Sequence, residues 1–474
     1  LSQSTYDAVV VGAGPNGLAA AITLQRTGLS VLLVEGKETV GGGLRSAELT
    51  LPGFRHDIGS AIHPMAVGSP FFQSVPLADF GLRFVQPPVA AAHPLDGGRA
   101  AALRGTVGDT ARSLGADGQT YRDLLEPLVD RWPGLAPDVL GPLGFPNHPL
   151  DFAAFGLNAI QPITLLAKRF KTPEAQALLA GMAAHATLPL TSLTTSAIAL
   201  VLMTVGHRHN WPVPVGGSEA IAQALAGYFQ SIGGTIITNW PVRSLDELPP
   251  ARAVLLDVTP RQMLALAGNR FSTLYRRQLE RFQYGMGVFK IDWALDGPIP
   301  FTASACRQAG TVHIGGTLDE IRLAEQQTAA GNHPDRPFVL LAQQSLFDDS
   351  RAPAGKHTAW AYCHVPNGST VDRTDAIEQQ IERFAPGFRD QILARHTLNT
   401  TQLETYNPNF IGGDINGGRL DITQLFTRPV ISLSPYNTSA KGIYVCSSST
   451  PPGGGVHGMC GFHAADRAMK DLFS

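Results

Sequence analysis

The segment Gly12-Ala-Gly14-Pro15-Asn16-Gly17 constrains this chain more than any other, because it joins a short apolar run, Asp7 to Val11, directly to a helical run from Leu18 to Gln25 that ends by Gly28. Strand, glycine loop and helix in that order make an anion site. Gly12 permits the tight turn, Gly14 lets the backbone approach a pyrophosphate, and Gly17 lets helix and strand pack closely. The first helical N–H groups, which have no partner inside the helix, then face the anion. A second strand, Ser30 to Val34, delivers Glu35, an acid about twenty residues on that can accept from a ribose diol. A glycine turn in an unrelated α/β protein has no reason to place an acid there. A dinucleotide site follows, and NAD and FAD both suit it.

The choice comes from the residues after Glu35. Gly42 and Gly43 let the backbone pass beside a cofactor, and Arg45 can donate to a phosphate. A glycine pair and Arg behind the ribose acid resemble flavoproteins of the glutathione reductase superfamily, which selects FAD. The run Gly53 to Ser60, with Gly59 and Ser60 at its end, is similar to the strand and turn that approach the flavin there. Ser218 is a plausible cap for a helix that starts at Glu219 and ends near Gly233-Gly234, before a strand from Thr235 to Thr238. The same resemblance implies that Val242 sets backbone groups against the adenine. Ala253 to Asp257 and Gly442 to Cys446 read as two more strands. The latter runs into Gly453-Gly454-Gly455-Val456-His457-Gly458-Met459, just before a helix from Cys460 to Leu472. Backbone N–H groups of such a turn can face the pyrimidine edge of a reduced flavin.

Taken together, these blocks resemble the phytoene desaturase-related FAD oxidoreductases of the amine oxidase-like superfamily, in motif order over nearly the whole chain. Gln424-Leu425, Arg428-Pro429, Tyr436-Asn-Thr, the run Pro452 to Val456, and Asn16 after Pro15 are similar to one branch, labelled pyridine nucleotide-disulphide oxidoreductase domain-containing. Carotenoid desaturases usually carry Pro where this chain has His457, and small residues at the positions of Ser447 and Ser449. Those departures point away from carotenoid substrates. The resemblance implies an α/β fold in which a Rossmann-type FAD-binding domain (1–64, 211–257 and 430–474) is interleaved with a mixed α+β substrate domain (65–210 and 258–429). Two domains also suit a length of 474 residues.

A net charge of -2 supplies no concentrated basic surface for nucleic acid. Cys306, Cys363, Cys446 and Cys460 form no close pair of the kind that zinc or dithiol chemistry requires, so they read as buried thiols of a cytoplasmic protein and the disulphide label as nominal. No metal site is expected, and Leu1-Ser-Gln-Ser reads as no targeting leader. From Phe152 to Ala167 no charge appears, and Lys168, Arg169 and Lys171 follow; Ala175 to Val205 is uncharged again. Pro162 and Pro189 interrupt these runs. They read as buried helices lining an apolar pocket, or as a surface that dips into a membrane.

Flavin chemistry needs no universal protein base, so the absence of a Ser-His-Asp or metal constellation is compatible with an enzyme. His457 and Asp414 are the titratable candidates, each with a structural alternative as a turn former. His56, His63, His207 and His463 rank below them. The expected function is FAD-dependent dehydrogenation, desaturation or oxidation of an apolar small molecule, with the electron acceptor open. Redox-neutral double-bond isomerisation or saturation, and a binding or assembly role with structural FAD, are the alternatives.

Overall fold

The computed structural model describes residues 5–425 and 427–474. A five-stranded parallel sheet gathers strands from distant parts of the chain, in the order Ile443–Val445, Ala251–Leu256, Tyr6–Val11, Val31–Val34, Thr235–Ile237. Its central strands are continuous apolar runs because both faces are covered. Helix Pro15–Gln25 covers one face, flanked by Glu219–Ser231 and Met459–Leu472. Small residues set that packing distance. Ala19, Ala20 and Ala21 are fully buried, and a Cβ on Gly461 would stand 1.8 Å from the Asn16 carbonyl oxygen.

The other face is covered by helices Pro260–Ala267 and Thr273–Glu280, whose Met263, Ala267, Tyr275 and Leu279 pack on Val9, Val11, Leu32 and Leu256. These helices lie beyond the boundary expected at Asp257, yet they pack on this sheet, because a parallel sheet with one bare apolar face would be unstable. Ser218 is corrected: it has helical backbone angles and caps nothing. Its hydroxyl donates to the Ser60 carbonyl (2.7 Å) and lies 2.8 Å from His63 Nε2.

A second sheet has seven strands, in the order Ile392–Leu398, Gly287–Leu295, His357–Val365, Val339–Ala342, Ala309–Ile314, Val89–Leu95, Arg99–Arg104. All its pairs are antiparallel except Ala309–Ile314 with Val89–Leu95. Side chains alternate across it. Phe289, Ile291, Trp293, Ala359, Ala361 and Cys363 form a core with Ile377, Ile381 and Phe384 of helix Thr374–Phe384. Val288, Lys290, Leu340, Trp360 and Tyr362 point the other way, into a large cavity.

Helices Pro149–Ala159 and Thr195–His209 line that cavity, and Pro173–Ala184 packs against the latter. The uncharged run from Ala175 to Val205 supplies the last two, whose side chains are largely buried. The run from Phe152 to Ala167 behaves differently. It bends by 90° between Pro149–Ala159 and Ile163–Arg169, and among the described residues no single helix is long and apolar enough to cross a membrane. Phe155 and Ala159 are buried, whereas Leu150, Leu157, Ile160 and Leu165 are 86%, 73%, 50% and 50% exposed.

Two glycines give opposite expectations. Gly461→Ala should lower the thermal midpoint by destabilising the chain by about 1–3 kcal/mol, since the new methyl group drives two helices apart. Gly156→Ala, where no heavy atom would lie within 4 Å of the added Cβ, should leave the midpoint unchanged or raise it slightly, by up to about 1 kcal/mol of helix propensity. Thermal unfolding of both variants checks the pair.

Candidate functional site

The cavity between the two sheets measures about 1450 Å³. Its lining joins the glycine loop (Gly12, Gly14, Pro15 and Asn16) to Glu35, Gly42, Gly43, Arg45, Gly59, Ser60 and Val242. Local sterics explain the glycines. Gly12 has φ +98° and donates to the Val34 carbonyl at 2.8 Å, and a Cβ on Gly17 would fall 1.9 Å from the Gly12 carbonyl oxygen. Gly42 has φ +57°, with its Cβ position 3.1 Å from Gly14 Cα, and a Cβ on Gly59 would fall 2.2 Å from the Gly43 carbonyl oxygen. The loops therefore leave one narrow channel walled by backbone.

Glu35 accepts from the Ala13 N–H (2.8 Å) and the Lys37 N–H (2.9 Å). Arg45, expected against a phosphate, donates instead to Glu35 Oε1 at 3.1 Å, the Thr39 carbonyl at 2.6 Å and the Gly42 carbonyl at 3.2 Å. It ties the acid to the loop, because this buried carboxylate is the nearest partner for its charge. In this cradle Asn16 Oδ1 and Ser60 Oγ are buried with no hydrogen-bond partner among the described residues. A backbone-walled cradle with unmet polar atoms beside a ribose-type acid fits a dinucleotide.

The C-terminal turn is divided. Gly454, Gly455, Val456 and His457 line the cavity. Gly453, Gly458 and Met459, expected with them, lie outside its lining. Gly453 faces Arg428 and Leu420, Gly458 abuts Phe71 and Ala19, and Met459 is 2% exposed in the core. The two titratable candidates both sit in hydrogen-bonded turns. The His457 ring donates from Nε2 to the Gly453 carbonyl (3.2 Å), and its Nδ1 accepts from the Met459 N–H (3.0 Å). Burial pushes it down to about 4. With both nitrogens spent on the turn, it holds backbone. Asp414 accepts from the N–H groups of Gly285 (2.7 Å), Asn416 (2.8 Å) and Gly418 (3.0 Å), and burial raises its pKa. It too builds a turn, outside the cavity wall.

Residues 10–73 match the NAD(P)-binding Rossmann-like domain. The chain is 26% identical to pyridine nucleotide-disulfide oxidoreductase domain-containing protein 2 of Rattus norvegicus, over 98% of this chain and 94% of that one. It is 22% identical to one of the subunits of limonene dehydrogenase from Castellaniella defragrans, over 98% and 95% of the two chains. Among solved structures, putrescine oxidase superposes with a TM-score of 0.63 at 16% identity, over 99% of each chain. Over nearly its whole length the chain is thus similar to proteins named as oxidoreductases, and it has the fold of putrescine oxidase.

The four cysteines of the chain are free and buried. Burial pushes Cys306 and Cys363 up to about 12 and Cys460 up to about 11, so they are inert thiols. Lys290 was not anticipated from the sequence. It is 2% exposed, lines the cavity, pairs with Asp292 and stands 5.8 Å from the centroid of the Trp360 ring. The signal was present in Gly287-Val-Phe-Lys290-Ile-Asp292-Trp-Ala-Leu, where two opposite charges two residues apart interrupt an apolar strand and share a face. His185 was overlooked too; it lines the cavity with its Nε2 2.9 Å from His313 Nε2, and burial pushes it down to about 3.

Asp257 gives the cradle a pH dependence. Its Oδ2 accepts from the Gly17 N–H at 2.9 Å; burial, then the nearby Glu35 charge, raise the carboxyl from 3.8 to about 7. The folded chain thus holds a proton that the unfolded chain has lost between these values, and stability falls as pH rises from about 4 to about 7. Urea denaturation of the apoprotein at several pH values should show Asp257→Asn gaining on the wild type across that window, then running parallel above it. Parallel curves throughout would mean that Asp257 is ionised in the folded protein.

Proposed function

We propose that this enzyme removes two electrons from an apolar organic molecule held beside FAD in the cavity between the sheets. The observation that carries this reading is the cavity itself. Its volume exceeds the ~300–1,000 Å³ of a one-ligand site. Beyond the nucleotide cradle it is walled by Phe152, Ile198, Val201, Leu340, Trp360 and Tyr362. Similarity to a limonene dehydrogenase chain supports a hydrocarbon-like substrate.

When bound, FAD supplies the acceptor for two electrons from a C–H or N–H bond. In this reading Glu35 accepts from the ribose hydroxyls, and Val242 packs beside the adenine. Backbone groups of the turn Gly454 to Val456 meet the electron-rich edge of the flavin. The aromatic and aliphatic wall excludes water, and Lys290 is one group in that wall able to take or give a proton.

The chemistry of the rim favours delivery from an apolar phase. Leu143 and Ile160 line the cavity yet are 56% and 50% exposed, next to the exposed Leu150, Leu157 and Leu165. Lys168, Arg169 and Lys171 follow, all exposed. Such a rim suits peripheral contact with an anionic lipid surface. Flotation with anionic vesicles at low salt should carry the holoprotein upward, and Leu150→Ser with Leu157→Ser should abolish this without changing FAD content.

Purified protein should be yellow, with about one FAD per chain. Anaerobic titration with amines, terpenes and other polyenes should bleach it, giving a product lighter by two hydrogens. A product of unchanged mass would make the enzyme an isomerase instead. Glu35→Ala should weaken FAD by about 1.5–3 kcal/mol, the worth of a charge-assisted hydrogen bond. Gly454→Val should weaken FAD or lower its reduction potential, since a Cβ there meets Asn416 Cα at 2.9 Å; wild-type occupancy and potential would place this turn away from the flavin.

A further inference from the structure

Lys290 stands at the inner end of a chain of titratable groups that reaches the surface. Lys290 and Asp292 form an ion pair on the cavity face of strand Gly287–Leu295, with side chains 3% and 0% exposed. Asp292 faces two imidazoles. Its Oδ1 lies 3.7 Å from His56 Nδ1, and its Oδ2 lies 3.8 Å from His396 Nδ1. His396 is directly opposite Asp292 on the edge strand Ile392–Leu398, and its side chain is 31% exposed. His56 is buried, with Nε2 2.8 Å from Thr50 Oγ1. The remaining charges that face this group are Asp57, beside His56, and Arg351, paired with Asp57.

A purely structural ion pair should leave its polar atoms satisfied. Here Asp292 Oδ1, His56 Nδ1 and His396 Nδ1 are all buried without hydrogen-bond partners among the described residues. They sit about half an ångström beyond hydrogen-bond range of one another, a gap within ordinary thermal displacement. Unmet donors and acceptors in a row, with one end in a closed cavity and the other at solvent, suit transfer along the row.

We propose that Lys290, Asp292 and His396 form a proton path between the cavity and solvent, with His56 as a side branch; this rests on the oxidative reading above. Oxidation of an X–H pair sends a hydride equivalent to FAD, which is reduced, and leaves one proton. An N–H bond of the Lys290 ammonium breaks as Asp292 Oδ2 takes its proton, and the amine so freed forms a new N–H bond with the proton left by oxidation. The carboxyl O–H of Asp292 breaks in turn as His396 Nδ1 takes that proton, which restores the ion pair. His396 Nε2 then releases its proton to water, and a turn of the ring resets the tautomer. Burial lowers the Lys290 pKa against the pull of Asp292, which keeps its neutral form within reach.

The substrate need not be known to test this. FAD holoprotein reduced anaerobically with dithionite is subjected to a rapid pH jump, and the absorption of the reduced cofactor reports when protons reach the cavity. His396→Phe should slow that relaxation about tenfold or more while leaving its end point in place. Added imidazole should restore the rate in His396→Gly and do nothing in the wild type. Asp292→Asn should be slowed at least as much; if it fails to fold, the two variants at the partly exposed His396 still decide. Wild-type rates in His396→Phe, no rescue by imidazole, or no pH-driven shift in the wild type would each overturn the path. A colourless protein would sink the flavin reading before any jump is made, whereas a yellow one with unslowed relaxation would sink the path alone.

Discussion

The fully buried ion pair between Asp57 and Arg351 is the interaction on which the two halves depend. Asp57 accepts from the Ser218 N–H (2.7 Å), the Ser46 hydroxyl (2.6 Å) and Arg351 Nη1 (2.9 Å). Arg351 also donates to Asp348 (2.7 Å) and the Pro214 carbonyl (3.1 Å). Burial pushes the Asp57 carboxyl up, but the guanidinium and the hydrogen bonds outweigh it and hold it below the usual range. Neither charge can be left alone in such a place, because an uncompensated buried ion costs several kcal/mol. The knot thus pins the strand pair next to the glycine cradle, the entry to helix Glu219–Ser231 and the rim of the antiparallel sheet in one arrangement.

Once the halves are pinned, the seven-stranded sheet has one face packed on its own helix and one face held away from the parallel sheet. The period of two along Gly287–Leu295 and His357–Val365 sorts their side chains between these faces. Phe289, Ile291 and Trp293 stabilise the substrate half, while Val288, Lys290, Trp360 and Tyr362 are released to line a cavity. Stability and binding come from alternate residues of the same strands. Either set can change with little effect on the other.

Much of the nucleotide half was legible because its signals are local. The loop Gly12 to Gly17, the acid at Glu35 and the strand ahead of Ser447 are each read within a few dozen residues, and the fold forms them as Tyr6–Val11, Pro15–Gln25, Val31–Val34 and Ile443–Val445. Where reading failed, a distant segment decided. Ser218 is drawn to Ser60 and His63. Helices 260–280 cover a sheet whose strands lie on both sides of them in sequence. His457 and Asp414 were singled out as titratable residues in glycine turns, yet such turns need internal acceptors and donors, and these two side chains supply them.

By itself the sequence determined that the chain forms a strand, glycine loop and helix of the dinucleotide-binding kind, that FAD suits the flanking glycines, and that long uncharged runs must be hidden or laid against something apolar. Those conclusions need only backbone sterics and hydropathy, which act over neighbouring residues. Only the tertiary structure decided which side chains face the cavity, that Lys290 and Asp292 stand at its wall, and that His56 and His396 come to them from strands more than a hundred residues away on either side. Burial creates that cluster: a charge on a strand means little until the fold removes its water and chooses its neighbours.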